Sequence, residues 1–184
     1  MIGRQDSSGT TFAFTSHLAA VSRRWTEEGP GVGKVVDWPH GAMLARGNEG
    51  VASRIKISEG AIGYVEFGFA HRLGLPAALL RNKEGQFVAP TPESGTAALA
   101  ASAGSGLDGL SASLTNPAGS LAYPIVTYSW LLLYEHYPAD KAKAINAFVE
   151  WGLGEGQTFA PDRGYLALPR AVADLAKSVL SRTN

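Results

Sequence analysis

The chain has 184 residues, 45% of them apolar, which is enough for a packed core and argues against wholesale disorder. Its 16 basic and 16 acidic residues cancel to a formal net charge of zero, so no broad field draws nucleic acid or an anionic membrane. Without any cysteine, disulfides, thiolate metal sites, iron–sulfur ligation and cysteine nucleophiles are excluded, while neither a reducing nor an oxidising compartment is.

The first predicted element is a helix from about Thr10 to Trp25, because Phe14, Leu18, Val21 and Trp25 recur at the spacing of one helical face. Arg23 and Arg24 fall in its last turn, and Gly29-Pro30-Gly31 ends it. Lys34 to Pro39 reads as a short strand closing in a turn. Gly47-Asn48-Glu49-Gly50 opens a second helix with Asn48 as its N-cap, a capped turn in preference to a second ligand site. Ala61 to Glu66 reads as a short β-like run leading into a helical turn from Phe67 to Leu73, with Glu66 read as an exposed acid at the strand end in preference to one facing a cleft.

Asn82-Lys83-Glu84-Gly85 separates Ala77–Arg81 from Gln86–Ala89 as a hairpin. Thr91-Pro92-Glu93 supplies cap, first-turn proline and early acid for an Ala-rich helix. Loops are expected at Gly104 to Gly106 and Asn116 to Gly119. Tyr123 to Leu133 is the strongest predicted strand, Pro138 opens a helix through Trp151–Gly152, and Val172, Leu175 and Val179 mark a last one. Mixed strands and helices without an internal repeat give the class α/β. Trp25, Trp38, Trp130 and Trp151 fall on predicted core faces or strand ends and are read as packing residues.

The chemistry is concentrated in Arg4-Gln5-Asp6-Ser7-Ser8-Gly9-Thr10-Thr11-Phe12. A helix starting at Ser8-Gly9-Thr10 leaves its first backbone N–H groups without partners, and donors plus dipole attract an anion there. Gly9 leaves room for close approach, and Ser8 and Thr10 add hydroxyls. Arg4 brings a planar fork suited to an oxyanion, which Asp6 can hold from the other side. Ser and Thr before a helix are also ordinary caps, and Arg–Asp pairs are common on surfaces, so local chemistry leaves both readings open.

Other chemistries find less support. His17, His40, His71 and His136 lack close metal-ligand spacing, so no metal is expected. Ser8 beside a helix start is conceivable as a nucleophile, but the segment is not a G-x-S-x-G elbow and no His stands near it. Met1-Ile2-Gly3-Arg4 lacks the apolar stretch of a signal peptide, and the apolar run at Trp130-Leu131-Leu132-Leu133 is too short to span a bilayer. As written, the chain reads as a soluble, unexported polypeptide.

The sequence resembles the phosphate-binding protein of bacterial phosphate ABC transporters, the PstS family. The resemblance is carried by RQDSSGTTFAFTSHLAAVS, Trp25, Val36-Asp37-Trp38-Pro39, Gly47 to Ala52 and Gly60 to Glu66. Downstream it continues in order through Ser113-Leu114-Thr115-Asn116, Tyr123 to Thr127 and Gly164 to Pro169. It implies a type II periplasmic-binding-protein-like fold, a Venus-flytrap of two α/β lobes, of which this chain is expected to carry the second half only. Residues 1–122 would then be the phosphate-binding segment of the second lobe, its first strand truncated. Residues 123–184 would be the crossover strand and C-terminal helices returning to the first lobe.

The resemblance further implies that Arg4 pairs with phosphate oxygens, that Asp6 orients Arg4, and that Ser8, Gly9 and Thr10 donate from the helix start. Ser7 stands where many relatives have Gly. The implied ligand is inorganic phosphate, with no cofactor, and the implied partners are ABC permease subunits at a periplasmic or cell-surface location. The carboxylate by which the family prefers phosphate to sulfate belongs to the other half, so selectivity is not legible here. A fragment without ligand binding of its own, assembling with a separate N-terminal half or with itself, is the alternative. A truncated gene product, a mis-called start and an engineered fragment all fit such a half.

Overall fold

The computed structural model describes residues 1–103 and 114–180, so the loop expected at Gly104 to Gly106 lies outside the described residues. The N-terminal half is built on three extended segments running in parallel. Strand β1 (Ile2–Arg4) pairs with β2 (Met43–Ala45), placing Ile2 opposite Met43 and Arg4 opposite Ala45. On its other side Ile2 forms a parallel bridge to Gly63, and its N–H donates to the Ile62 carbonyl at 2.8 Å. A side chain at Gly63 would bring a Cβ within 2.7 Å of the Ile2 carbonyl oxygen, so this approach requires glycine.

Each of the three segments runs into a helix. Helix α1 (Gly9–Val21) follows β1, α3 (Gly47–Ile57) follows β2, and α4 (Phe67–Leu73) follows the segment around Gly63. Parallel strands need such crossovers, and the crossovers leave all three strand ends on one edge. Ile2 and Val51, both without solvent exposure, form a small core with Ala45, onto which Ile55, Ala61 and Val65 pack. The α/β class expected from the sequence is what this half displays.

Beyond it lie the hairpin β3 (Leu80–Arg81) and β4 (Phe87–Val88), and then α5 (Pro92–Ala103). Buried Asn82 ties the hairpin to the loop at Gly119, its amide nitrogen donating to the Gly119, Ser120 and Ala122 carbonyls. Helix α5 starts as expected: Ser94 N–H donates to Thr91 Oγ1 at 3.2 Å and Thr91 N–H to Ser94 Oγ at 3.0 Å. Two further helices, α6 (Ala139–Gly152) and α7 (Arg170–Leu180), stand where the sequence predicts them.

Four expectations are corrected. The first helix is two: Ser22, with extended backbone, ends α1 and caps α2 (Arg23–Glu28) through a bond from the Trp25 N–H. The buried residues of α1 are Thr11, Thr15 and His17, not an apolar stripe, because Thr15 Oγ1 donates to the Thr11 carbonyl and accepts from the Gly33 N–H. Burial holds the His17 imidazole below its usual pKa, and its Nδ1 has no hydrogen-bond partner among the described residues. Lys34 to Pro39 is not a strand; its backbone is used singly, as where the Lys34 carbonyl accepts from Ser8 N–H at 2.9 Å.

Tyr123 to Leu133 likewise forms no strand, only a bridge between Ile125 and Thr115. The sequence there has the propensity, but a strand also needs a neighbour for its ladder, and none among the described residues extends it. Trp130 and Trp151 stay about half exposed, at 51% and 47%, so the packing role holds only in part. Among the described residues no helix is long and apolar enough to cross a membrane.

Candidate functional site

Three strand-to-helix junctions meet at the carboxyl edge of the parallel segments, where open α/β sheets place their ligand crevices. The β1 junction supplies Arg4, Asp6 and the start of α1. The β2 junction supplies Gly47 and Asn48, and the third supplies Tyr64 and Glu66.

Arg4 is the centre. Its side chain is only 9% exposed, and it grips Asp6 with two parallel bonds, Nε to Oδ1 at 2.9 Å and Nη2 to Oδ2 at 2.6 Å. Nη1 donates to Asn48 Oδ1 at 3.2 Å. A guanidinium carries five N–H donors, so among the described residues one N–H on Nη1 and one on Nη2 remain for a ligand. Two such donors on one planar group match two oxygens of a tetrahedral anion.

Asp6 holds its charge firmly. Its carboxyl lies well below the usual carboxylate range, chiefly because Arg4 donates to it, and next because the Gly47 N–H donates to Oδ1 at 3.0 Å. The same pairing raises the Arg4 pKa against the opposing effect of burial. Since the folded-state pKa of Asp6 is depressed, its contribution to stability is complete above the ordinary value of 3.8 and is lost as pH falls below it. Denaturant unfolding at about pH 5 and about pH 3 should therefore show an acid loss that Asp6→Asn reduces. Equal acid loss in both proteins would remove Asp6 from that role.

The start of α1 supplies the second set of donors. Ser8, buried, is its N-cap: Oγ accepts from Thr11 N–H at 3.2 Å, and its own N–H is spent on the Lys34 carbonyl. The backbone N–H groups of Gly9 and Thr10 lie in the unsatisfied first turn. A Cβ at Gly9 would meet nothing within 4 Å, so the helix start is open to its surroundings at Gly9. Thr10 Oγ1 donates to Glu66 Oε1 at 3.3 Å, and the Glu66 charge also acts on Arg4.

Tyr64 couples the two sets. Its hydroxyl accepts from the Arg4 N–H at 3.1 Å and shares a 2.8 Å hydrogen bond with Thr11 Oγ1, while its ring stacks on Phe14 at 4.5 Å. Strand end and helix start are thus held by one buried side chain.

The five residues singled out in the sequence therefore fall on one junction, with Arg4 and Asp6 paired as expected. Ser8 differs in detail, since its amide is used within the protein. Asn48 is not the N-cap of α3: that position is Arg46, without a side-chain cap bond, and Asn48 reaches back to Arg4. Asn48 and Tyr64 were missed as site residues. The available signal was positional, because both sit in motifs standing directly between a strand and a helix. Among the described residues no group of three His, Asp or Glu side chains could hold a metal ion.

The sequence model for the PBP superfamily domain matches residues 1–155. The chain belongs to that superfamily. Its relatives narrow the class. It is 36% identical to the phosphate-binding protein PstS of Methanocaldococcus jannaschii, across 98% of this chain and 50% of that one. Identity to the PstS of Pasteurella multocida is 39%, across 94% of this chain and 50% of the relative. For Haemophilus influenzae PstS the figures are 38%, 97% and 53%. The PstS resemblance read from the sequence is borne out, and the chain spans about half the length of these relatives. All three carry the name of a binding protein, not of an enzyme.

Proposed function

We propose that the chain binds inorganic phosphate, as part of the extracytoplasmic solute-binding component of a phosphate ABC importer. One observation carries the reading: the two unspent N–H groups of Arg4 and the unspent first-turn amides of α1 belong to a single strand-to-helix junction. Arg4 supplies the charge and a paired contact to two phosphate oxygens. Asp6 holds Arg4 in position from behind and does not touch the ligand. Gly9 and Thr10 donate backbone N–H groups, and Ser8 contributes its hydroxyl proton, its oxygen being occupied by Thr11. The names of the relatives support the same ligand.

No hydrolysis is expected. A serine nucleophile needs a base within hydrogen-bond reach, and the Ser8 hydroxyl is buried as a helix cap with no imidazole bonded to it.

Residues 1–122 are read as the binding segment of one lobe and residues 123–184 as a return to the other. The exposed side chains of Leu131, Leu132 and Tyr134 support this division, because large apolar side chains left in solvent along a strand-forming run suit a sheet whose other strands are supplied elsewhere. The partners are then a polypeptide corresponding to the N-terminal half of the relatives, or a second copy of this chain in its absence, and the permease subunits of an importer at the cell envelope.

Calorimetric titration of the purified chain with inorganic phosphate, and with sulfate as control, tests the reading. Saturable phosphate binding is the expected result. A folded, monodisperse chain that gives no heat would overturn phosphate binding by this chain on its own.

A further inference from the structure

Asn48 stands second in α3, where neither its amide oxygen nor its nitrogen is needed to cap the helix. Its Oδ1 instead accepts two hydrogen bonds from other segments, from Arg4 Nη1 at 3.2 Å and from the Glu66 N–H at 3.4 Å. Both partners are donors only, so chemistry fixes which end of the amide faces them. We propose that Asn48 is a positioning residue of the anion site, orienting the ligand-facing N–H groups of Arg4 and joining the β1 end to the segment that carries Glu66. This rests on the phosphate-binding reading above.

The Asp6 pair alone does not fix the guanidinium. Two parallel bonds to one carboxylate leave the plane free to rock about that axis, and the third bond, to a group on a different helix, removes the freedom. Neutrality matters as much as position. An amide oxygen satisfies one Arg4 N–H without adding charge, so the cation keeps its attraction for an incoming anion. Glu66, whose charge already acts on Arg4, is the anion able to draw the remaining N–H groups away if the third bond is lost. Asn48 also fixes the backbone of Glu66, and hence the reach of its carboxylate to Thr10.

Two substitutions separate positioning from helix support. Asn48→Ala deletes the bond. Asn48→Asp keeps an acceptor for Arg4 and adds a negative charge in the first turn of α3, which favours the helix but opposes a bound anion. In phosphate titrations of the full chain, Asn48→Ala is expected to lose about tenfold in affinity. Asn48→Asp is expected to lose more than Asn48→Ala while its thermal midpoint is equal to or above wild type. Wild-type phosphate affinity in both variants would overturn the proposal.

A second readout does not depend on the ligand. In nitrogen NMR of the Arg4 guanidinium, slow rotation of the terminal nitrogens is expected in the wild type and faster rotation in Asn48→Ala. The same rotation in both would overturn the positioning role. Were the wild type to bind no phosphate, the function proposed above would fall, and the guanidinium signals would still decide the role of Asn48.

Discussion

Arg4→Lys is expected to weaken phosphate binding by about 100-fold while the chain stays folded. Hydrogen bonds to charged groups are worth roughly 1.5–3 kcal/mol each, and about 1.4 kcal/mol is a factor of ten, so losing two paired contacts suffices. Lysine keeps the charge and can still pair with Asp6. What it cannot do is point one edge at Asp6 and another at the ligand, because an ammonium is a compact charge without a plane. Arg4 meets this geometry already committed: three of its donors are engaged with Asp6 and Asn48, and the remaining two belong to the same rigid fork. Calorimetric titration of both proteins, with circular dichroism as the folding control, measures the effect. Equal affinities would take Arg4 out of the binding site and leave the helix start as the only anchor.

The legible part of this site is the part held by near neighbours in sequence. Arg4 and Asp6 are two residues apart and their pairing follows from an Arg and an Asp flanking one strand end, while Ser8 announces a helix start by composition alone. Asn48 and Tyr64 act on Arg4 across 44 and 60 residues. Their contacts exist only because β1 is paired on both sides in parallel, and a strand order cannot be read from one strand. Asn48 was misassigned for a physical reason: an Asn near a helix start usually caps it, but here a buried guanidinium offers a stronger partner than the helix does.

The same distinction explains the fold. The hairpin, the start of α5, and helices α6 and α7 depend on turn chemistry and local periodicity, and the sequence alone predicts them. The break at Ser22 is local too, yet an unbroken apolar spacing from Phe14 to Trp25 concealed it. Lys34 to Pro39 and Tyr123 to Leu133 have the residues of strands but depend on distant partners. For the second of these, no described residue supplies a ladder beyond the bridge at Ile125, and propensity without a partner does not make a strand.

The exposed end of that segment carries the second large effect. Leu131, Leu132 and Tyr134 are exposed at 67%, 94% and 77%, which places a run of large apolar surface in solvent along a segment with strand propensity. Burying one such side chain is worth about 1.5–3 kcal/mol, so two or three of them can drive association at modest concentration. The purified chain is therefore expected to self-associate in sedimentation velocity, with the apparent mass rising as concentration rises. Leu131→Lys combined with Leu132→Lys should weaken that association by at least about tenfold, since each charge must be desolvated on contact. Because Leu132 is almost fully exposed, the double substitution should leave the thermal midpoint nearly unchanged, which separates association from folding. A polypeptide corresponding to the first half of a PstS relative should compete with self-association, because it would cover the same surface. A wild-type chain that remains monomeric across the concentration range would mean that this run needs no partner, and the division of the chain at residue 123 would lose its main support.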